Sequence, residues 1–279
     1  MELMQVGADP ERFIARLANW DEPLRRIFNL NGFLEAIRSN EMALKRPHKW
    51  DDPREDLTTL CMLDGRRHLG KGQQSLATFL APVWAQCWSL NPGSDTLLRA
   101  YSSVRPDETR RNADRDHEGV TVTTSVRLLL TAAEAWNADG ADSHVVIGKV
   151  EYLDDHEIWQ RIVNTCNGEH GPKFFCTVQG RADSLMWKRA YFEHEQEVRL
   201  LLVGRSWAND DATLDLRHVR IEPNSLFTSV SFDPRLQPAE AIEREAELRA
   251  LGYTGKIVRD ESYQKVAGIV EMLHDWPDP

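Results

Sequence analysis

The run Val198 to Val203, apolar except for Arg199 and closed by Gly204, constrains the fold more than any other stretch of this chain. It is too short for a helix of ten or more residues and suits a strand buried in a core. Directly before it stands Trp187-Lys188-Arg189-Ala190-Tyr191-Phe192-Glu193-His194-Glu195-Gln196-Glu197, a dense cluster of ionisable groups leading into the apolar segment. If the strand already starts near Phe192, its period of two sets Glu193, Glu195, Glu197 and Arg199 on one face. Like charges crowded this way raise one another's pKa, so a fold keeps them only where something compensates. Such a strand is either a sheet edge with a solvated face or the rim of an active site.

The 279 residues are enough for one large domain, and 41% hydrophobic with 28% charged residues is ordinary for a soluble globular chain. No apolar run approaches the roughly 20 residues needed to span a bilayer, and Met1-Glu2-Leu3-Met4 lacks the features of a signal peptide. The expected location is cytoplasmic, with no membrane partner. A formal net charge of -10 argues against a general nucleic-acid coat, which needs a basic surface. Arg105, Arg110, Arg111 and Arg115 cluster but alternate with Asp107, Glu108, Asp114 and Asp116, which reads as a solvated loop. Cys61, Cys87, Cys166 and Cys176 form no C-x-x-C pair, so neither structural zinc nor a disulfide is expected.

Along the chain, Phe13, Ile14, Leu17, Trp20, Leu24, Ile27 and Phe28 recur at helical spacing, broken near Pro23, and predict an N-terminal helical segment over 1–30. Residues 31–279 read as one α+β domain with mixed, mostly antiparallel sheets and a C-terminal helical part. Its expected strands are Met42–Leu44, the segment around Ala85–Ser89, Gly119–Thr124, Val145–Tyr152, Val198–Val203, Leu214–Ile221, Leu226–Phe232 and Lys256–Val258. Its helices are expected over Gly32–Ser39, Asp95–Tyr101, Ser125–Trp136, Ile158–Val163, Ala239–Leu251 and Glu261–His274. The Cys166–Ser184 stretch shows no clear period. There is no Walker loop, no H-E-x-x-H and no G-x-S-x-G; Gly70-Lys71-Gly72 begins a dinucleotide fingerprint but lacks its third glycine.

The order of motifs resembles the bacterial domain-of-unknown-function family DUF2971. The matching pieces are Leu44–Pro53, Cys87-Trp88-Ser89 with Asp95–Tyr101, Gly119–Thr124, Val150-Glu151-Tyr152 and Lys188–Arg199, over about residues 30 to 265. The pattern departs at Leu98, where tryptophan is usual, and at Asp51, where asparagine is usual. Within the last block, Glu195-Gln196-Glu197-Val198 is similar to the third catalytic block of ADP-ribosyltransferases. That resemblance implies an ADP-ribosyltransferase-like fold, NAD as substrate, and a protein or nucleic-acid acceptor, in the manner of a toxin or phage-defence effector. Cleaving the nicotinamide–ribose bond builds positive charge on the sugar, and a fixed carboxylate stabilises it. On this reading Glu197 is the catalytic carboxylate, Glu195 orients the acceptor or acts as base, and Ser89 supplies the middle block. His48 or Arg46 supplies the first block, and Tyr101 and Trp88 are the ring candidates for the cofactor. The alternative is a non-catalytic binding or regulatory module in which Glu195 and Glu197 pair with neighbouring cations. A metal-dependent nuclease using Asp51, Asp52 and Glu195 ranks below both, because the position after the acidic pair is Val198 and not lysine.

Overall fold

The computed structural model describes residues 4–5, 12–66, 72–104, 115–138, 143–204 and 214–263. In chain order come strands β1 (Met4–Gln5), β2 (Arg12–Ala15) and β3 (Pro23–Asn29), then helix α1 (Leu30–Ser39) and β4 (Glu41–Lys45). They are followed by α2 (Leu57–Leu60), β5 (Met62–Asp64), β6 (Gln73–Ser75), β7 (Val83–Ser89) and α3 (Asp95–Tyr101). The middle holds β8 (Gly119–Ser125), α4 (Val126–Ala138), β9 (Ser143–Lys149), β10 (Glu151–Leu153), α5 (Asp155–Asn167), α6 (Val178–Ser184), β11 (Trp187–Arg189) and β12 (Glu197–Gly204). The last part holds β13 (Leu216–Arg220), α7 (Pro223–Leu226), β14 (Ser229–Phe232), α8 (Pro238–Ala250) and β15 (Lys256–Ile257).

The fold is α+β, built on one large sheet. Its strand order is β1-β2-β9-β12-β7-β3-β8-β14-β15, with β4 joining β7 to β13. Pairings are antiparallel except β2 with β9 and β14 with β15. Strand β12 is the spine: it pairs along its length with β7 on one side and β9 on the other. Alternation sends Val198, Leu200 and Leu202 into the main core with Trp84, Trp88 and the α1 and α4 residues Phe33, Leu34, Leu129 and Leu130. Leu201 and Val203 face a second core made with Val83, Ala85, Val146 and Ala182, Leu185 and Met186 of the α6 region. Burial on both faces is what an apolar run without alternation requires.

On its other edge β7 is shared. Strand β3 meets it only at Arg25 opposite Ser89, and β4 only at Lys45 opposite Ala85. The sheet therefore splits beside Gln86 and Cys87, where buried backbone groups lose ladder partners and need others. Side chains supply them: Arg26 Nη1 donates to the Cys87 carbonyl, and Gln86 Nε2 donates to the Ala43 carbonyl at 3.2 Å.

The helices expected over Phe13–Phe28 are strands instead. Pro23 to Asn29 pairs residue for residue with β8, so cross-strand packing overrides the helical spacing of its apolar residues. The strand expected from Phe192 onward starts only at Glu197. Residues Ala190–Glu195 form a 3-10 turn, and Gln196 adopts the left-handed conformation at φ 44°. The unplaced Cys166–Ser184 stretch contains the end of α5, a 3-10 segment over Gly171–Cys176, and α6. The Arg105–Asp114 loop, Gly70-Lys71 and the helix expected beyond residue 263 lie outside the described residues. Among the described residues no helix is long and apolar enough to cross a membrane.

Candidate functional site

The second core ends where β12 begins. On the face that carries Leu201 and Val203, the next residues toward the strand's start are Arg199 and Glu197, both buried. An apolar layer that stops at two charged residues marks a change of environment, and a cleft of about 1800 Å³ opens there between the sheet, α3 and the β11 segment.

At the cleft's inner end, three carboxylates surround two cations. Lys188 Nζ lies 2.6 Å from Glu195 Oε2, 2.9 Å from Glu197 Oε2 and 3.2 Å from Glu55 Oε1. Arg199, 0% exposed, donates from Nε to Glu197 Oε1 at 2.8 Å and from Nη2 to Glu197 Oε2 at 3.1 Å. Its Nη2 also pairs with Glu55, its Nη1 donates to the Leu185 carbonyl at 2.6 Å, and its guanidinium stacks 4.4 Å from the Trp50 ring. The Cys87 thiol, directly opposite Arg199 on β7, shares this face, and burial beside Glu197 pushes its pKa up. Burial alone pushes the Glu197 carboxyl up, but the Arg199 and Lys188 charges more than offset it and hold it down to about 2. Glu55 goes the other way: burial, with the nearby Glu197 charge, outweighs Arg199 and Lys188 and raises it. With all five groups charged, three carboxylates against two cations leave one net negative charge.

Glu195 is the open member. Its side chain is 18% exposed against 4% for Glu197. The turn that carries it is pinned from β7: Ser89 Oγ donates to the Glu195 carbonyl at 2.5 Å, and Asn91 Nδ2 donates to the His194 carbonyl at 3.0 Å. From β10, the Tyr152 hydroxyl accepts the Glu197 backbone N–H at 2.8 Å.

Register places a further cation beside them. Glu197 lies directly opposite Ser89 on β7, and Ser89 directly opposite Arg25 on β3. Directly opposed residues share a face of the sheet, so Glu197, Ser89 and Arg25 form a row across three strands, and all three line the cleft. Arg25 is half-buried and has no hydrogen-bond or ion-pair partner among the described residues. Next to it, burial lowers the Arg26 guanidinium's pKa; its Nε is buried without a partner.

The structure thus brings together Glu195, Glu197, Ser89 and Tyr101, a cleft-lining residue of α3 that is 57% exposed. It sets apart the two first-block candidates. His48 lies 3.9 Å from Asp215, and burial with the Arg46 and Lys49 charges lowers its pKa. Arg46 stacks 4.8 Å from the Trp84 ring and donates to the Leu214 carbonyl. Neither lines the cleft. Trp88 borders the cleft, but its ring packs in the main core, where its indole N–H donates to Gln86 Oε1 at 3.0 Å. Asp51 and Asp52 line the cleft, with Asp52 bound to Arg189 at 2.8 Å, and no group among the described residues is arranged to hold a metal. Sequence reasoning missed Arg25, hidden by the helical spacing of β3, and Glu55, which no motif marks.

No family model and no curated protein matches the sequence. Among solved structures, Thermus sp. 2.9 DarT in complex with ADP-ribosylated ssDNA has a TM-score of 0.38 and 9% identity, covering 88% of this chain and 98% of that one. The same protein in complex with NAD+ has a TM-score of 0.35 and 10% identity, covering 87% of this chain and 97% of that one. At these values the likeness assigns no activity to this chain, whose chemistry has to come from its own residues.

Proposed function

We propose that the cleft binds NAD and transfers its ADP-ribose to a nucleophile on protein or nucleic acid. The row Arg25–Ser89–Glu197, with the open Glu195 joined to it through Lys188, carries this reading: a partnerless cation, a fixed hydroxyl and carboxylates stand side by side. These are the residue types expected for the three blocks, with Arg25 in the place for which His48 and Arg46 were the candidates. Arg25 is suited to the pyrophosphate, since a guanidinium with free N–H groups binds phosphate oxygens bidentately.

Glu197 is buried and engaged on both oxygens by Arg199 and Lys188, so the more open Glu195 is the carboxylate able to face the ribose. The cluster's surplus negative charge then lies beside the cationic sugar that forms as the ribose C1′–N bond breaks. The electron pair of that bond leaves with nicotinamide, the acceptor bonds to C1′, and Glu195 takes the acceptor's proton.

The pairing of Glu197 with Arg199 and Lys188 also favours a second reading, a non-catalytic module of the kind the DUF2971 resemblance allows. One experiment separates the two. The purified chain is given adenylate-labelled NAD with a protein extract and with single-stranded DNA, and free nicotinamide and transferred label are measured. Transfer lost in Glu195→Gln and Arg25→Gln supports the enzyme. Tight NAD binding with no nicotinamide released by the wild type supports the module.

A further inference from the structure

The row does not stop at Arg25. Arg25 is directly opposite Thr123 on β8, Thr123 opposite Ser229 on β14, and Ser229 opposite Lys256 on β15. From Glu197 to Ser229 the row crosses five strands, roughly 19 Å at a strand spacing of about 4.8 Å. Thr121 and Ser231 form a second, parallel pair one step along the same face. All of these β8 and β14 residues line the same cleft as Glu195.

Three of these four hydroxyls are chemically idle; only Ser231 Oγ donates, to the Phe232 carbonyl. Val120, Val122, Val230 and Phe232 between them fill the main core, so packing is served by the other face. The hydroxyls of Thr121, Thr123 and Ser229 have no hydrogen-bond partner among the described residues, although each residue is half-buried. A hydroxyl both donates and accepts, which suits ribose hydroxyls and phosphate oxygens alike. Charge along the row is polarised. The Glu55, Glu195 and Glu197 end is anionic, Arg25 stands in the middle, and exposed Lys256 ends the far side. Arg259, Asp260 and Glu261 line the far rim, and Asp95 there is already held by Arg99 and Tyr263.

We infer that Thr123 and Ser229 form a subsite for the adenylate half of a dinucleotide whose nicotinamide ribose lies at Glu195 and whose pyrophosphate lies at Arg25. This rests on the NAD reading given above. A mononucleotide would reach only from Glu195 to Arg25, whereas the full dinucleotide spans the row.

Thr123→Val with Ser229→Ala removes both hydroxyls with little change of shape. Calorimetry then compares binding of NAD and of nicotinamide mononucleotide to the wild type and to the double variant. Expected is an about tenfold weaker NAD affinity from two lost hydrogen bonds, with nicotinamide mononucleotide binding unchanged and the thermal midpoint kept. Equal NAD affinity in wild type and variant overturns the subsite while sparing the NAD reading. Equal weakening of both ligands overturns it too, because the change then acts through the sheet. A wild type that binds neither ligand overturns the NAD reading and the subsite with it.

Discussion

Glu197 and Glu195 differ by one intervening residue and by almost everything else. Glu197 accepts from Arg199 twice and from Lys188, so both of its oxygens are bound to buried cations. Taking one charge out of such a buried set leaves its partners uncompensated, at a cost of about 3–5 kcal/mol. Glu197→Gln is therefore expected to lower the thermal midpoint strongly, with Lys188 and Arg199 left facing Glu55 and Glu195 alone. Glu195→Gln keeps Glu197 and Glu55 on Lys188 and is expected to unfold close to the wild-type temperature. Side-by-side melts of the two variants check this; equal destabilisation would mean that Glu195 is as structural as its neighbour. The two residues looked alike in the sequence because a Glu-x-Glu spacing carries no information about which carboxyl meets buried cations.

The turn before β12 decides how the two carboxylates diverge. Gln196 sits at φ 44°, where a side chain without β-branching is tolerated and a β-branched one is not. Gln196→Val is expected to cost about 1–2 kcal/mol and to displace Glu195 from Lys188, whereas Gln196→Gly should keep both stability and geometry. Denaturant titration of both variants, with NAD binding as the second readout, tests the point; a valine variant as stable as the wild type would contradict it. The same turn shows what was legible in the sequence. The apolar run of β12, the β-branched β8 and the helices α1, α3, α4 and α8 announced themselves by period and composition. The break at Gln196 did not, because a left-handed glutamine has no compositional signature. Nor did β3: its apolar residues fall at helical spacing, and only pairing with β8 makes it a strand. As a helix, the β3 segment gives no register between Arg25 and Ser89, which leaves Arg46 and His48 as the first-block candidates in the sequence.

Across the whole molecule, buried and half-buried ionisable groups pull the stability curve in opposite directions. Glu197, and Glu151 between Arg16 and Arg161, are held down to about 2. Folded-state values below the unfolded ones mean that their contribution is present above about pH 4.5 and is lost as pH falls toward 2. Asp183, on the α6 side of the second core, behaves oppositely: burial pushes it up to about 6, and its Oδ1 is buried without a partner. A raised folded value means that its contribution is fully present below pH 3.8 and disappears as pH rises through about 6. At neutral pH the fold thus carries an ionised, under-solvated aspartate. Asn in its place has no charge to desolvate, so Asp183→Asn is expected to stabilise the protein at pH 7 by about 3 kcal/mol. At pH 4 little of the gain should remain, because Asp183 is then protonated in the folded state and partly protonated in the unfolded chain. The loss of stability below pH 4.5 should persist in the variant, since Glu197 and Glu151 are untouched. Denaturant unfolding of both proteins from pH 3 to pH 8 reads all three features, and a gain that is the same at pH 4 and pH 7 would show that Asp183 exerts its effect through packing and not through its charge.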